Sequence, residues 1–228
     1  MRKFIFQIDP ESKTKLTGLS LGYICFTGVK TEKRNEIIDQ EISAASHAVK
    51  ERFKDTKAIA DDLMIKGIRS VFSKAGMDPT KERASGEALI RRIVGGQGIY
   101  RVNTVVDTNN VISIRTGCPC GVYDLDKVEG GTISLIVGRS GETYEGIGGK
   151  PLNAENRILT KDGKGFFGGP TADSARTSIM PATKEVLMLI YHPASSSSEI
   201  LGETMKLAIM KMGQTTGAKA EDSGIINC

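Results

Sequence analysis

The sequence predicts an α+β fold, with helices packed on mixed β-sheets. Runs suited to strands open the chain at Phe4–Ile8 and Leu19–Val29 and return in number after Gly131. Between them, apolar residues recur at the three-to-four spacing of helices. After Gly131 the short apolar runs are separated by turns rich in Gly, Asn and Asp, which marks a β-rich layer.

In chain order, FIFQI and LSLGYICFTGV read as strands. From Arg34 to Lys54, Ile38, Ile42, Ala45, Val49 and Phe53 form one helical stripe. Ala58–Lys74 carries a looser stripe that Gly67 weakens and Gly76 ends. Asp78-Pro79 has the form of a helix start, with Asp as cap and Pro at the first position, so a helix is predicted to Val94. Ala88, Leu89 and Ile93 would face inward, Arg83, Arg91 and Arg92 outward. Val102 to Thr116 is read as a helix because its period is helical, although Val and Thr favour strands. Strands are then expected at Thr132–Val137, Glu142–Ile147, Arg157–Thr160, Gly165–Gly169 and Glu185–Tyr191. Ser196 and Glu199 have capping-box spacing ahead of an amphipathic helix, and the tail from Thr215 is expected to be a loop with a short closing segment. The 228 residues suit a single domain over 1–228, softly subdivided into 1–77 and 78–228.

Composition narrows the function classes only modestly. A net charge of +4, from 31 basic and 27 acidic residues, permits a polyanionic partner without demanding one. No window approaches a membrane span, and MRKFIFQIDP meets Asp9 and Pro10 before any long apolar run, so a cytoplasmic protein without a secretory leader is expected. Cys25, Cys118, Cys120 and Cys228 form neither a disulfide framework nor, with only His47 and His192, a spaced metal-ligand set. No cofactor is expected. His192-Pro193 reads as surface structure at a strand end.

The chemistry concentrates between Asp78 and Gly130. Arg101, Asn103, Asp107, Asn109, Asn110, Tyr123 and Asp124 crowd into an otherwise apolar stretch, and each buried polar group without a partner costs about 1–3 kcal/mol. Such a set argues for a structured network or a pocket wall. Here VVDTNNVIS (Val105–Ser113) followed by GCPCGVYDLDKVEG (Gly117–Gly130) resembles the tRNA-binding and editing region of the phenylalanyl-tRNA synthetase beta subunit. The likeness continues through IVGRSGETYEGIGG, ILTKDGKGFFGG and TKEVLMLIY, and so covers Arg101 to Tyr191.

The resemblance implies that family's fold and a pocket for an aminoacyl ester, with tRNA, at its acceptor end, as partner. Three polar pocket residues of the family, a Thr, a His and a Glu, correspond here to Asn109, Gly121 and Thr171, so all three differ. Loss of two such groups implies a different amino acid and, at Gly121, more room. Asp107, Asn110, Pro119, Tyr123, Asp124, Gly168 and Gly169 match, and Asp173, Ser174 and Thr177 join the candidate pocket through the ADSARTSI segment. Asp107 and Asp124 also suit plain capping roles. Arg91, Arg92 and Arg101 are the candidate RNA contacts. The resemblance leads to a free-standing aminoacyl-tRNA deacylase, with a non-catalytic RNA-binding module or a repurposed small-molecule pocket as alternatives. No ATP-binding motif accompanies it, so a complete synthetase is not expected. The catalytic residue, the oligomeric state and the identity of the tRNA stay open.

Overall fold

A computed structural model describes residues 2–228. Two four-stranded sheets and five helices make up an α+β fold, as the sequence predicts. The first sheet orders β1 (Ile5–Ile8), β4 (Thr132–Val137), β7 (Ile158–Lys161) and β8 (Phe166–Gly168), with β1 parallel to β4 and the other pairs antiparallel. The second is antiparallel throughout and orders β10 (Lys219–Asn227), β2 (Leu19–Thr27), β9 (Val186–Pro193) and β3 (Cys120–Asp124). A small hairpin joins β5 (Thr143–Glu145) to β6 (Pro151–Asn153).

The cores explain the hydropathy of individual strands. Leu187, Leu189 and Tyr191 on one face of β9 pack with Leu135, Ile158 and Phe167 of the first sheet. Met188 and Ile190 on its other face pack with Leu201, Met205 and Met212 of α5 (Ser198–Thr216). Buried on both faces, β9 has no polar side to alternate with, hence its unbroken VLMLI run. A third core joins α1 (Glu36–Arg52), α3 (Ser85–Val94) and α4 (Thr104–Thr116) through Ile38, Val49, Ile90, Ile93, Val111 and Ile114. The α2 helix (Leu63–Ala75) ends, as expected, at Gly76 in the left-handed region (φ 94°).

The α4 helix overrides the strand preference of its Val and Thr residues. Asn103 accepts from the Val106 amide at 2.9 Å and caps the start, and Gly117 (φ 77°) closes the end. Ten of its thirteen residues are buried, because α1, α3, α5 and β3 surround it. Tertiary burial of this kind outweighs propensity differences of a few tenths of a kcal/mol per residue.

Several expectations are corrected. The helix expected from Asp78 begins at Ser85: the Asp78 carboxylate accepts from the Thr80 amide (2.9 Å) and closes a turn instead. Ala88, expected inward, is exposed. The segment Ala58–Lys74 divides into a 3-10 turn and α2, because Asp62 caps the Met64 and Ile65 amides. The capping box fails, since α5 starts after Ser197 without a side-chain cap. Cys120–Asp124, for which no strand was expected, is strand β3. The tail is the nine-residue strand β10, paired to β2 and exposed along much of its length, so it needs little apolar sequence. His192 is buried on β9, where burial lowers its pKa.

Candidate functional site

A cleft of about 1120 Å³ opens between α3, α4, β3 and the segment 171–179. Its walls are largely apolar, from Leu89, Val106, Val122, Ile147, Leu152 and Ile179. Asn109, Asn110, Tyr123, Thr171, Asp173, Ser174 and Thr177, all expected at a pocket, line it together. They come from three places in the chain, and β3 is what unites them. Its register against β9 sets Tyr123 opposite Leu187, and Tyr123 then donates to Asp173 Oδ1 at 2.8 Å.

Two of the candidate polar groups in the cleft keep an unpaired atom. Asn109 Nδ2 donates to the Cys120 carbonyl at 3.2 Å, which leaves its Oδ1 buried and without a partner. The Thr171 hydroxyl is likewise buried and unpaired. Ser174 and Thr177 are occupied: Ser174 Oγ accepts from the Arg176 amide (3.2 Å), and Thr177 donates to the Phe167 carbonyl (3.3 Å). Burial raises the Asp173 carboxyl to about 6, against smaller opposing effects of the Tyr123 hydroxyl and the Gly169 amide. Burial first, and the Asp173 charge second, push the Tyr123 phenol well above its ordinary range. Tyr123 therefore keeps its proton and donates it toward a carboxylate that ionises near pH 6.

The remaining candidates stand behind the cleft wall. A side chain at Gly121 would come within 2.2 Å of the Tyr123 hydroxyl, and one at Gly168 within 2.3 Å of the Tyr123 ring. The two glycines are the seat of that ring. The extra room expected at Gly121 is thus already filled by Tyr123. Gly169 contributes its amide to Asp173, and Asp124 takes the capping role, accepting from the Thr183 hydroxyl at 2.7 Å and the Asp126 amide at 3.2 Å.

At the rim, Lys81, Arg83, Arg91 and Arg92 supply positive charge. A residue that the sequence did not single out gathers two of them, Arg83 and Arg91, together with Arg69 of α2. Glu87, 2% exposed, receives two hydrogen bonds from Arg69 (2.9 and 2.6 Å) and one from Arg91 (2.6 Å), with Arg83 at 4.0 Å. Three guanidiniums around one carboxylate leave a local excess of two positive charges. The Arg83–Glu87 and Glu87–Arg91 spacings of four were the local signs of this group. Arg92 bonds Gly98 and Gln97 and lies over the Tyr100 ring, with no acidic partner among the described residues. Arg101 does not line the cleft: its charge is met by Asp107 at 2.7 Å and by Asp39.

The cysteines offer no exposed thiolate. Cys118 and Cys120 are buried, and burial pushes the Cys118 thiol up to about 12 and the Cys120 thiol higher still. Among the described residues no group of His, Cys, Asp and Glu could hold a metal ion. Nor does His192 join Ser174 and Asp173, since it lies outside the cleft. A smaller hollow of about 510 Å³, over β1 and β4, contains none of the expected pocket residues.

The cleft thus combines apolar walls with buried polar groups and four cations among its lining residues. Comparison with known families then places the chain. It matches the B3/4 domain family over residues 67–209, and it belongs to that family. The phenylalanine–tRNA ligase beta subunit of Malacoplasma penetrans is 30% identical over 125 residues, covering 54% of this chain and 15% of that protein. That of Neisseria meningitidis serogroup B is 27% identical over 97 residues, 42% of this chain and 12% of that protein. The chain therefore spans only a small part of the length of these relatives. Among solved structures, an N-terminal fragment of the phenylalanyl-tRNA synthetase beta subunit from Pyrococcus horikoshii superposes with a TM-score of 0.49 at 12% identity. That superposition covers 96% of this chain and 52% of the fragment. Among the described residues, no helix is long and apolar enough to cross a membrane.

Proposed function

We propose that this protein binds the aminoacylated 3′ end of a tRNA in the cleft and hydrolyses the ester, acting as a free-standing deacylase in the cytosol. One observation carries the reading: Lys81, Arg83, Arg91 and Arg92 line a cleft that is otherwise largely apolar and that holds the unpaired Asn109 Oδ1 and Thr171 hydroxyl. Phosphates of an unpaired acceptor end suit the mouth, and the aminoacyl group suits the interior. Family membership and the likeness to phenylalanine–tRNA ligase beta subunits supply the connection to tRNA.

With the Cys120 thiol, the one cysteine among the cleft's lining residues, buried and protonated, water attacks directly. Its oxygen bonds to the ester carbonyl carbon, the bond to the ribose oxygen breaks, and that oxygen leaves with a proton. Esters of this kind are already activated, so positioning and charge stabilisation suffice. Asn110 lines the cleft and spends no side-chain hydrogen bond inside the protein, so its amide is free to donate to the carbonyl oxygen.

The test adds purified protein to a pool of charged tRNAs and follows each aminoacyl ester. Selective loss of one or a few esters, reduced at least tenfold by Asn110→Ala, is expected from the loss of a donor to the developing oxyanion. No loss at protein excess would overturn the deacylase reading. Filter binding of uncharged and charged tRNA over a salt series then tests tRNA recognition by itself.

A further inference from the structure

The carboxylates of this protein divide sharply by partner. Glu87, Asp107, Asp124 and Asp162 are buried, and each is paired with a cation: Arg69 and Arg91, Arg101, Lys127, and Arg176 respectively. Asp173, half-buried in the cleft, is the exception. Its hydrogen-bond partners are the Tyr123 hydroxyl and the Gly169 amide, and no Lys or Arg among the described residues forms an ion pair with it. Arg176, three residues further on, turns away and binds Asp162. Beside this carboxylate the cleft presents the unpaired Asn109 Oδ1, 94% or more of whose residue is buried, and the unpaired Thr171 Oγ1. An isolated carboxylate and orphaned acceptors are costly to bury. A ligand that brings donors and positive charge, and no acceptor of its own at that point, removes the cost.

We infer that Asp173 is the counter-ion of a primary ammonium group on the ligand, so that the cleft selects substrates with a free α-amino group and rejects N-blocked ones. An ammonium carries three donors and no acceptor, which matches the Asp173 carboxylate, the Asn109 Oδ1 acceptor and a Thr171 hydroxyl that can accept. Tyr123 holds the carboxylate from below, and Gly121 and Gly168 hold Tyr123. The rim guanidiniums keep the opposite sign at the mouth, so the ammonium and the phosphates of one ligand cannot exchange places. The inference rests on the aminoacyl-ester reading of this cleft, and names the group by which the ester is oriented. An ammonium held at Asp173 turns the adjacent carbonyl toward Asn110 in one sense only. Asp173 acts here as a binding and positioning residue.

Two kinds of probe test it. In the first, a panel of amino-acid methyl esters and their N-acetyl forms is titrated against the wild-type protein and Asp173→Asn, with binding read by NMR shift changes. The expected result is that free amines bind roughly ten- to a hundredfold better than their acetylated forms in the wild type. In Asp173→Asn, whose amide oxygen still accepts from Tyr123, that preference disappears. In the second, aminoacyl-tRNA and N-acetyl-aminoacyl-tRNA are compared for binding and ester loss.

Equal treatment of free and acetylated probes by the wild type, or a preference that survives in Asp173→Asn, would overturn the inference. The two readings fail separately. Binding of tRNA without amine preference removes the ammonium assignment and leaves the tRNA reading in place. Amine preference among the methyl esters without any tRNA binding does the reverse. The wild-type comparison needs no variant, so a misfolded Asp173→Asn protein would not rescue the idea.

Discussion

Asp162 and Asp173 are the same residue type in one stretch of chain, yet the protein treats them in opposite ways. Asp162 takes two hydrogen bonds from the Arg176 guanidinium (3.0 and 2.9 Å) and three more from the amides of Glu129, Lys164 and Gly165 (2.8, 2.9 and 3.1 Å). Burial alone would raise its pKa, but these partners hold it below the usual carboxylate range. Asp173 has one hydroxyl, one amide and no cation, and burial carries it up to about 6. The cation nearest in sequence serves the first carboxylate and leaves the second free. A satisfied buried acid is architecture. One that lacks a cation beside a cleft suits the ammonium group inferred above.

The contrast has a pH signature of two signs. A lowered pKa means that Asp162 contributes stability above its unfolded value near 4, lost as pH falls through the folded value. A raised pKa means that Asp173 favours the fold only while protonated, so its contribution is lost as pH rises from about 4 toward 6.

The largest expected effect comes from breaking the satisfied pair. Arg176→Ala leaves Asp162 buried without its cation and should cost about 3–5 kcal/mol in a denaturant titration at pH 7. A loss below 1 kcal/mol would mean that the backbone amides alone satisfy Asp162. Next, Glu87→Gln leaves Arg69, Arg83 and Arg91 facing one another. Partial exposure of these arginines limits the cost to about 2–3 kcal/mol, and tRNA affinity at low salt should rise because the rim gains positive charge.

Gly121→Ala should cost about 1–3 kcal/mol, since a methyl group there displaces a ring locked in the core. By moving the Tyr123 hydroxyl off Asp173 it should also raise the Asp173 pKa further, which side-chain NMR titration reads directly. The subtler change is Asp173→Asn: stability at pH 7.5 should hold or rise slightly, the slope between pH 4 and 6 should flatten, and the loss below pH 4 should remain. A steep drop in stability at neutral pH would place Asp173 with the structural carboxylates. Smallest of all, Arg92→Ala should leave melting unchanged and lower the salt dependence of tRNA binding by about one counterion.

Much of this contrast was partly legible beforehand. The α1 stripe, the apolar run of β9 and the helical period of α4 follow from local burial patterns, and the structure forms all three elements. Tyr123, Asp173, Asn109 and Thr171 were marked as pocket candidates by resemblance, and they do line one cleft. The β10 strand was missed because an edge strand with one partner and exposed residues carries little apolar signal. The Asp78 helix start was misread because Asp-Pro serves a turn as readily as a helix cap, and here the Asp78 carboxylate closes a turn on the Thr80 amide. Glu87 was overlooked because Arg69, its bidentate partner, lies 18 residues away.

By itself the sequence determined the class of fold, the helices and strands with strong period, and a short roster of polar residues too dense to be accidental. Periodicity and turn chemistry are local, so a single chain can be read for them. Only the tertiary structure decided which acid received which base. Arg176 could have closed on Asp173, three residues away, or on Asp162, fourteen away. Arg176 closes on Asp162, which three backbone amides already hold in place and ionised. That choice left Asp173 alone in the cleft, and no spacing in the sequence announces it.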